Sequence, residues 1–321
     1  MLPLISAFLS VIALSMNKDF ERNLKEILQS SASVTGEIGG YILDSGGKRL
    51  RPRMVELVGK SVGLAPELCM SLAYTVELMH TASLLHDDVV DGTEIRRSRP
   101  TANQVFGDKP ALLTGDFISA SAMELMCTLG NLKLALHMVQ TIKRMAEGEL
   151  KELEHARAFH DRLDVYLRII YLKTASLFEF CTLGPAILAD LPEKVLDALA
   201  NFGRFIGMGF QIVDDIINVS PNEGDNKDAF NDIIEGKSTL PLIILFRQNP
   251  EALREVASFA DTAQKKDYIV SMLTPEILGS SRDVARDYLG KSIEAIRSTG
   301  YLTPDLAAVP DQIMAQVDER F

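Results

Sequence analysis

Cysteine is scarce in this 321-residue chain: Cys69, Cys127 and Cys181 stand far apart and form no CxxC pair. That excludes a zinc ribbon or a thioredoxin-like redox site, and the thiols read as reduced core residues of a cytoplasmic protein. Tryptophan is absent, yet 47% of residues are hydrophobic, enough for a sizeable core. Basic residues are outnumbered, 33 against 44, for a net charge of -11, and no basic stripe offsets it. Nucleic acid is therefore excluded as a partner. No phosphate-binding P-loop is present. Lys48 is followed by Arg49, and the Gly-Lys-Ser at 236–238 has Asn231 where the loop requires its first glycine. No linker rich in Pro, Gly or Ser divides the chain, and no fixed-period repeat is evident.

The N-terminal stretch 1–16 is apolar, but its first following basic residue is Lys18. A secretory signal carries a positive start, and a spanning helix needs about 20 apolar residues. The stretch reads as an extra packing helix or as sequence upstream of a start at Met16, so no membrane span is expected. Residues 1–18 form an apolar extension and 19–321 one all-α domain. About ten helices and no convincing hairpin are expected. An amphipathic helix over 19–43 is expected to break at Gly39–Gly40 and again at Ser45–Gly47.

What is present is acidic and concentrated. Residues 84–97, LLHDDVVDGTEIRR, follow an apolar helical pattern that ends near Asp91–Gly92. Asp87 and Asp91 share a helix face at i, i+4, and Asp88 lies beside them. Like charges at a helix C-terminus repel and oppose the dipole, so a positive partner is required. Phe210–Asn218 repeats the device, with Asp214 and Asn218 at i, i+4. Oxygen donors without Cys or His at zinc spacing suit a hard cation such as Mg2+, which is usually shared with substrate phosphates. A phosphate or diphosphate substrate is expected.

Cations occur at matching places. Lys48-Arg49-Leu50-Arg51 precedes Pro52 at a helix start, where free N–H groups assist an anion; an ordinary exposed basic turn is the alternative. His80 stands two helical turns before Asp87, and a satisfied buried histidine is the plainer reading. Lys173-Thr174 interrupts an apolar stretch, where a buried lysine needs an anionic partner. Glu149 and Glu152 can belong to a solvated face, and Lys237 can pair with Asp232 or Glu235.

Taken together, the motifs GGKRLRP at 46–52, LLHDDVVD at 84–91, RRSRPTAN at 96–103, KTASLF at 173–178, GFQIVDD at 209–215 and DIIEGKSTLPLI at 232–243 resemble the trans-isoprenyl diphosphate synthase family, in the family's order. The resemblance implies a single large all-α helical bundle around a central active-site cavity, usually a homodimer, that joins isopentenyl diphosphate to an allylic diphosphate. It implies three Mg2+ ions held by Asp87 and Asp91 on one side and Asp214 on the other. Lys48, Arg51, His80 and Arg97 would hold isopentenyl diphosphate, and Arg96, Lys173, Gln211, Lys227 and Lys237 the allylic diphosphate. Thr174 would face the allylic cation, Phe210 would line the substrate site, and Asp88 and Asp215 complete the catalytic acidic pairs. The absence of a Ser–His or Cys–His signature agrees, because no protein nucleophile is required. Peripheral membrane contact for product release is left open.

Five departures stand out: Asn218 in place of a final Asp, Ser98 for a common Gly, Glu152 for a common Gln, and Asn226 and Phe230 at positions often held by Gly. They leave open a weakly active, partner-dependent subunit. Product length depends on the wall below the first Asp motif, where Ala82 and Ser83 are small, with Met79 and Thr75 deeper. Ser119, Ala120, Ala122 and Met123 are candidates for the facing helix. Small residues above Met favour a long-chain, quinone-type product, with geranylgeranyl or farnesyl diphosphate as alternatives. A terpene cyclase would not need the second diphosphate seat at 46–52.

Overall fold

Proline and short polar side chains set many of the helix starts. Pro66, Pro250, Pro275 and Pro304 each occupy the first turn of a helix, where the missing N–H would have had no intrahelical partner. Asn249, Asp261, Thr274 and Thr303 cap their helices by accepting from backbone N–H groups two or three residues on. The computed structural model describes residues 18–156, 158–220 and 230–318. The apolar N-terminal stretch through residue 17, together with Asn226 and Lys227, lies outside the described residues.

The chain divides into two compact units, Met1–Ala135 and Leu136–Phe321. The first contains α1 (Lys18–Ile27), α2 (Ser33–Asp44), α3 (Leu50–Ser61), α4 (Pro66–Val90), α5 (Ala102–Phe106) and α6 (Asp108–Thr128), with two short strands, β1 (Ile95–Arg96) and β2 (Arg99–Pro100). Its centre is α4, packed chiefly against α6 and next against α3. Leu72, Val76, Leu78 and Leu85 of α4 and Ile118 and Ala122 of α6 are fully buried. α4 is long and apolar enough to cross a bilayer, but 61% of that window is buried, which is the placement of a core helix.

The division falls within α7 (Leu132–His155). Beyond it come α8 (Leu163–Ile170), a π-helical turn (Tyr171–Ala175), α9 (Ser176–Leu188), α10 (Glu193–Val219), α11 (Asn231–Glu235), α12 (Leu240–Gln248), α13 (Pro250–Ser258), α14 (Thr262–Met272), α15 (Pro275–Ile296), α16 (Pro304–Ala307) and α17 (Val309–Asp318). α10 is the axis of this unit and packs against α15 on one side and α9 on another. α9 is apolar around its circumference and buried along nearly its whole length, as a central helix must be. Phe178, Phe180, Phe202 and Phe246 are fully buried, each worth about 1.5–3 kcal/mol by area removed from water. A smaller core around Phe246, Val256 and Ile269 joins α12 to α14.

The all-α expectation holds, with four corrections. The expected single helix over 19–43 is two, because the break falls at 28–32, where Ser30 Oγ accepts from the Ala32 N–H at 3.2 Å. Gly39–Gly40 does not break α2. Gly39 lets the helix approach α1's end, since a Cβ there would lie 2.7 Å from Leu28 Cδ1. A hairpin is present: β1 and β2 pair antiparallel, Ile95 with Pro100 and Arg96 with Arg99. Strands of two residues carry no alternation for sequence reading to detect. The helices also exceed the expected ten, because several are single turns such as α5, α11 and α16.

α9 and α10 approach so closely that Gly203 has no room for a side chain. A Cβ there would lie 2.9 Å from Glu179 Cα and collide with the Phe178 carbonyl oxygen and Thr182 Oγ1. Two of these three neighbours are backbone and cannot swing aside. Gly203→Ala should lower unfolding stability by about 1–3 kcal/mol in urea titration, although alanine is the better helix former. An unchanged midpoint would show that the helices separate freely.

Candidate functional site

In the first unit, α4 carries the acidic cluster to its C-terminus. The Asp91 N–H bonds the Asp87 carbonyl at 2.8 Å, and Gly92, at φ +65°, ends the helix in the left-handed conformation. Asp87 and Asp91 are partly exposed on one face. Asp88 is turned inward, only 2% exposed, and its Oδ1 accepts from Arg96 Nε at 2.8 Å and Nη2 at 2.7 Å. Burial pushes the Asp88 carboxyl upward and the Arg96 guanidinium pulls it back. Asp88 therefore anchors Arg96, while Asp87 and Asp91 remain at the surface of their unit.

The hairpin places the next arginine. Arg97 and Ser98 form its two-residue turn at φ +50° and +61°, the positive pair that a tight hairpin of this kind demands. Arg97 Nη1 donates to the Gly46 carbonyl. Gly47 makes room for this, since a Cβ there would lie 3.1 Å from Arg97 Nη1 and 3.3 Å from Arg49 Nη1. The loop thus brings Arg97, exposed Lys48 and Arg51 into one neighbourhood. Arg51 Nη1 lies 3.1 Å from His80 Nε2. Arginine has only donors, so Nε2 accepts and His80 is neutral. Burial, and then the positive charges of Arg51, Arg97, Arg96 and Arg49, hold its pKa well below the usual value.

Arg49 differs from its neighbours. Its guanidinium reaches Glu21 at 2.7 and 3.0 Å, Glu77 at 2.6 Å and the Leu43 carbonyl at 3.1 Å. It ties α1, α2 and α4 together, and sequence reasoning had no signal to separate it from Lys48 and Arg51.

Along α4, Asp87, Ser83, Met79 and Thr75 recur every four residues and form one stripe. Met79 and Thr75 are buried, and Ser119 Oγ lies 3.5 Å from Met79 Sδ. The expected facing helix is therefore α6. Ala82 and Ala122 are buried, Met123 is half-buried and Ala120 is exposed.

The second unit holds the other cluster. Asp214 is exposed near the end of α10, whereas Asp215 is buried and bonded by Tyr166 Oη at 2.5 Å and Gln211 Nε2 at 2.8 Å. Gln211 Oε1 accepts in turn from Thr174 Oγ1 at 2.8 Å. Thr174 and Lys173 both sit in the π-helical turn, a distortion frequent at functional sites. Phe210 packs on Phe178 with ring centres 5.3 Å apart. Tyr166 was not foreseen, because nothing local in its sequence distinguishes it from a core aromatic.

Lys173 and Lys237 converge on shared carboxylates. Lys173 Nζ lies 2.6 Å from Glu149 and 2.5 Å from Glu152; Lys237 Nζ lies 3.2 Å from Glu152 and 2.7 Å from Glu235. Glu149 and Glu152 are thus not a solvated face. Gly148 permits the approach, since a Cβ there would lie 2.7 Å from the Lys173 backbone nitrogen. Asn218 Oδ1 lies 3.4 Å from the Asp232 N–H at the start of α11. Asp232 is pushed up to about 7 by burial, against Lys237, with Glu235, Glu152 and Asp214 adding to the rise.

Each unit thus offers accessible carboxylate oxygens, Asp87 and Asp91 near Arg96 in one and Asp214 in the other. Among the described residues no Cys or His joins these sets, so the donor chemistry fits a hard divalent cation.

The fold and these motifs define an all-α prenyltransferase. The polyprenyl synthetase family model matches residues 32–273, and the chain belongs to that family. It is 36% identical over 281 residues to the octaprenyl diphosphate synthase of Haemophilus influenzae, covering 86% of this chain and 85% of that one. It is 33% identical to heptaprenyl diphosphate synthase component 2 of Geobacillus stearothermophilus, covering 86% and 87%. Among solved structures, a decaprenyl diphosphate synthase from Rhodobacter capsulatus matches with a TM-score of 0.85 at 29% identity, covering 96% and 99% of the two chains.

Asp232 yields a pH prediction. A carboxyl whose pKa rises on folding keeps a proton that the unfolded chain releases, so its contribution is full below about pH 4 and is lost as pH rises toward 7. With divalent cations chelated, Asp232→Asn should gain stability relative to the parent between pH 5 and pH 8, by on the order of 1–3 kcal/mol. Parallel stability curves for the two proteins would refute the assignment.

Proposed function

We propose that this chain condenses isopentenyl diphosphate with an allylic diphosphate, head to tail, and repeats the step to an all-trans long-chain polyprenyl diphosphate, a precursor of a quinone side chain. The observation that carries this reading is the stripe beneath Asp87. Small Ala82 and Ser83 stand above Met79 and Thr75 along α4, so no aromatic side chain on that stripe blocks chain growth in the first turns below the acidic cluster. One turn rises about 5.4 Å, close to one extended isoprene unit. The long-chain products in the names of the Haemophilus, Geobacillus and Rhodobacter proteins support it.

In this reaction the allylic C–O bond breaks, diphosphate leaves with the bonding electrons, and the isopentenyl double bond attacks the allylic carbon. A proton is then lost from the isopentenyl part to the released diphosphate. Lys173, Lys237 and Gln211 receive the allylic diphosphate, and fixed cations there stabilise the departing charge without reorganising. Lys48, Arg51, Arg97 and neutral His80 receive isopentenyl diphosphate. The Thr174 hydroxyl faces the carbon that becomes positive. Asp87, Asp91 and Asp214 would hold Mg2+, three ions in all, which when bound neutralises charge on the leaving diphosphate.

A homodimer belongs to the proposal. Leu132, Leu136, Val139, Leu150 and Leu153 lie along one side of α7, at 84%, 56%, 41%, 62% and 46% exposure. Such a stripe invites a second copy of the chain. Leu136→Glu should turn a dimer into monomer in sedimentation velocity at micromolar protein, and a monomeric parent would end this part of the reading.

The deciding experiment incubates purified protein with Mg2+, isopentenyl diphosphate and farnesyl diphosphate and resolves products by mass. A ladder ending well beyond geranylgeranyl is expected, and Ser83→Phe should stop it within one or two additions. Folded protein that elongates no primer would refute a self-sufficient synthase. It would favour the partner-dependent subunit suggested by the "component 2" relatives.

A further inference from the structure

Glu152 is the residue on which the two lysines of the proposed allylic diphosphate seat meet. Its carboxylate lies 2.5 Å from Lys173 Nζ and 3.2 Å from Lys237 Nζ. Each lysine also has a carboxylate of its own, Glu149 at 2.6 Å and Glu235 at 2.7 Å. Glu152 is therefore the shared member of a chain of five charges, in the order Glu149, Lys173, Glu152, Lys237, Glu235. All five side chains are between 15% and 27% exposed, so solvent screens them only in part. Three anions face two cations. The group carries a net negative charge at the place where an anionic substrate is to be received.

We propose that Glu152 is a resident counter-anion that occupies the diphosphate seat between turnovers and sets its affinity. Diphosphate and Glu152 compete for the same two ammonium groups, and an arriving diphosphate must displace the carboxylate or share the lysines with it. The competition weakens binding of the allylic substrate, and it weakens binding of released diphosphate equally. The carboxylate returns to the lysines as diphosphate departs, so the two ammonium groups again share one anion between them. Glu152 acts through Lys173 and Lys237 and is a positioning residue. The inference rests on the prenyltransferase reading above.

The test uses the full chain and inorganic diphosphate as probe. Glu152→Gln keeps the shape and removes the charge, while Glu149 and Glu235 still partner the lysines. Isothermal titration with diphosphate, with and without Mg2+, should show about tenfold tighter binding by the variant, a change of the size expected when one nearby like charge is removed. Steady-state kinetics should show a fall in KM for the allylic diphosphate, no change in KM for isopentenyl diphosphate, and stronger inhibition by added diphosphate. A purely structural role would move none of these selectively. Diphosphate affinity unchanged or weakened in folded Glu152→Gln, beside an active parent, overturns the inference and leaves the proposed function standing. A parent that neither binds diphosphate nor elongates a primer overturns both. Should Glu152→Gln fail to fold, Glu152→Asp draws the carboxylate back from the lysines and should tighten diphosphate two- to threefold; no tightening overturns the inference.

Discussion

The constraint on which the rest of the structure depends is charge compensation in partly buried places. A carboxylate withdrawn from water must find a cation or hydrogen-bond donors at close range or take up a proton, because its desolvation is otherwise uncompensated. The chain resolves this differently for each acid. Asp88 is answered by Arg96 from the hairpin, Glu77 by Arg49, and Glu152 by two lysines at once. Asp215 uses hydrogen bonds from Tyr166 and Gln211 instead. Asp87, Asp91 and Asp214 are partly or wholly exposed, and those are the positions at which carboxylates can serve a substrate-bound cation.

Backbone departures from the regular helix deliver these partners. Arg49, Arg97, Ser98 and Phe230 all hold positive φ without being glycine, a conformation that costs about 1–2 kcal/mol for an L-residue. Three of the four lie in the loop and hairpin that gather the basic residues of the first unit, and Phe230 precedes the helix that bears Asp232. The π-helical turn does the same in the second unit by setting Lys173 and Thr174 in a turn wider than an α-helix provides. Apart from Asp190, which follows α9 at φ +51°, this strain falls where charged groups must be aimed, while α4, α9 and α10 supply the rigid frame.

This distribution explains what was legible in the sequence. Long periodic helices such as α4 and α10, and the acid pairs at i, i+4 on them, follow from spacing alone. Lys173 announced itself as a cation in an apolar run, and its need for an anion is met by Glu149 and Glu152. Which of Lys48, Arg49 and Arg51 is structural was not legible, because the answer depends on Glu21 and Glu77, distant in sequence. The same holds for Tyr166, whose partner Asp215 is contributed by α10. Gly39 misled for a related reason: a glycine needed for contact with Leu28 has the same local signature as one that ends a helix.

Asn218 is best understood in these terms. Its Oδ1 lies within reach of the Asp232 N–H, at the start of a short helix whose N-terminus would otherwise lack an acceptor. Asp232 is already pushed up to about 7, with Asp214 among the charges that raise it. A carboxylate at 218, one turn beyond Asp214 and against Asp232, would add another like charge to a group with Lys237 as its main cation. The amide keeps an oxygen acceptor at that position and removes the charge. The departure at 218 therefore lightens the electrostatic load of the second acidic cluster, while Asp214 retains the exposed carboxylate on which the proposed chemistry depends.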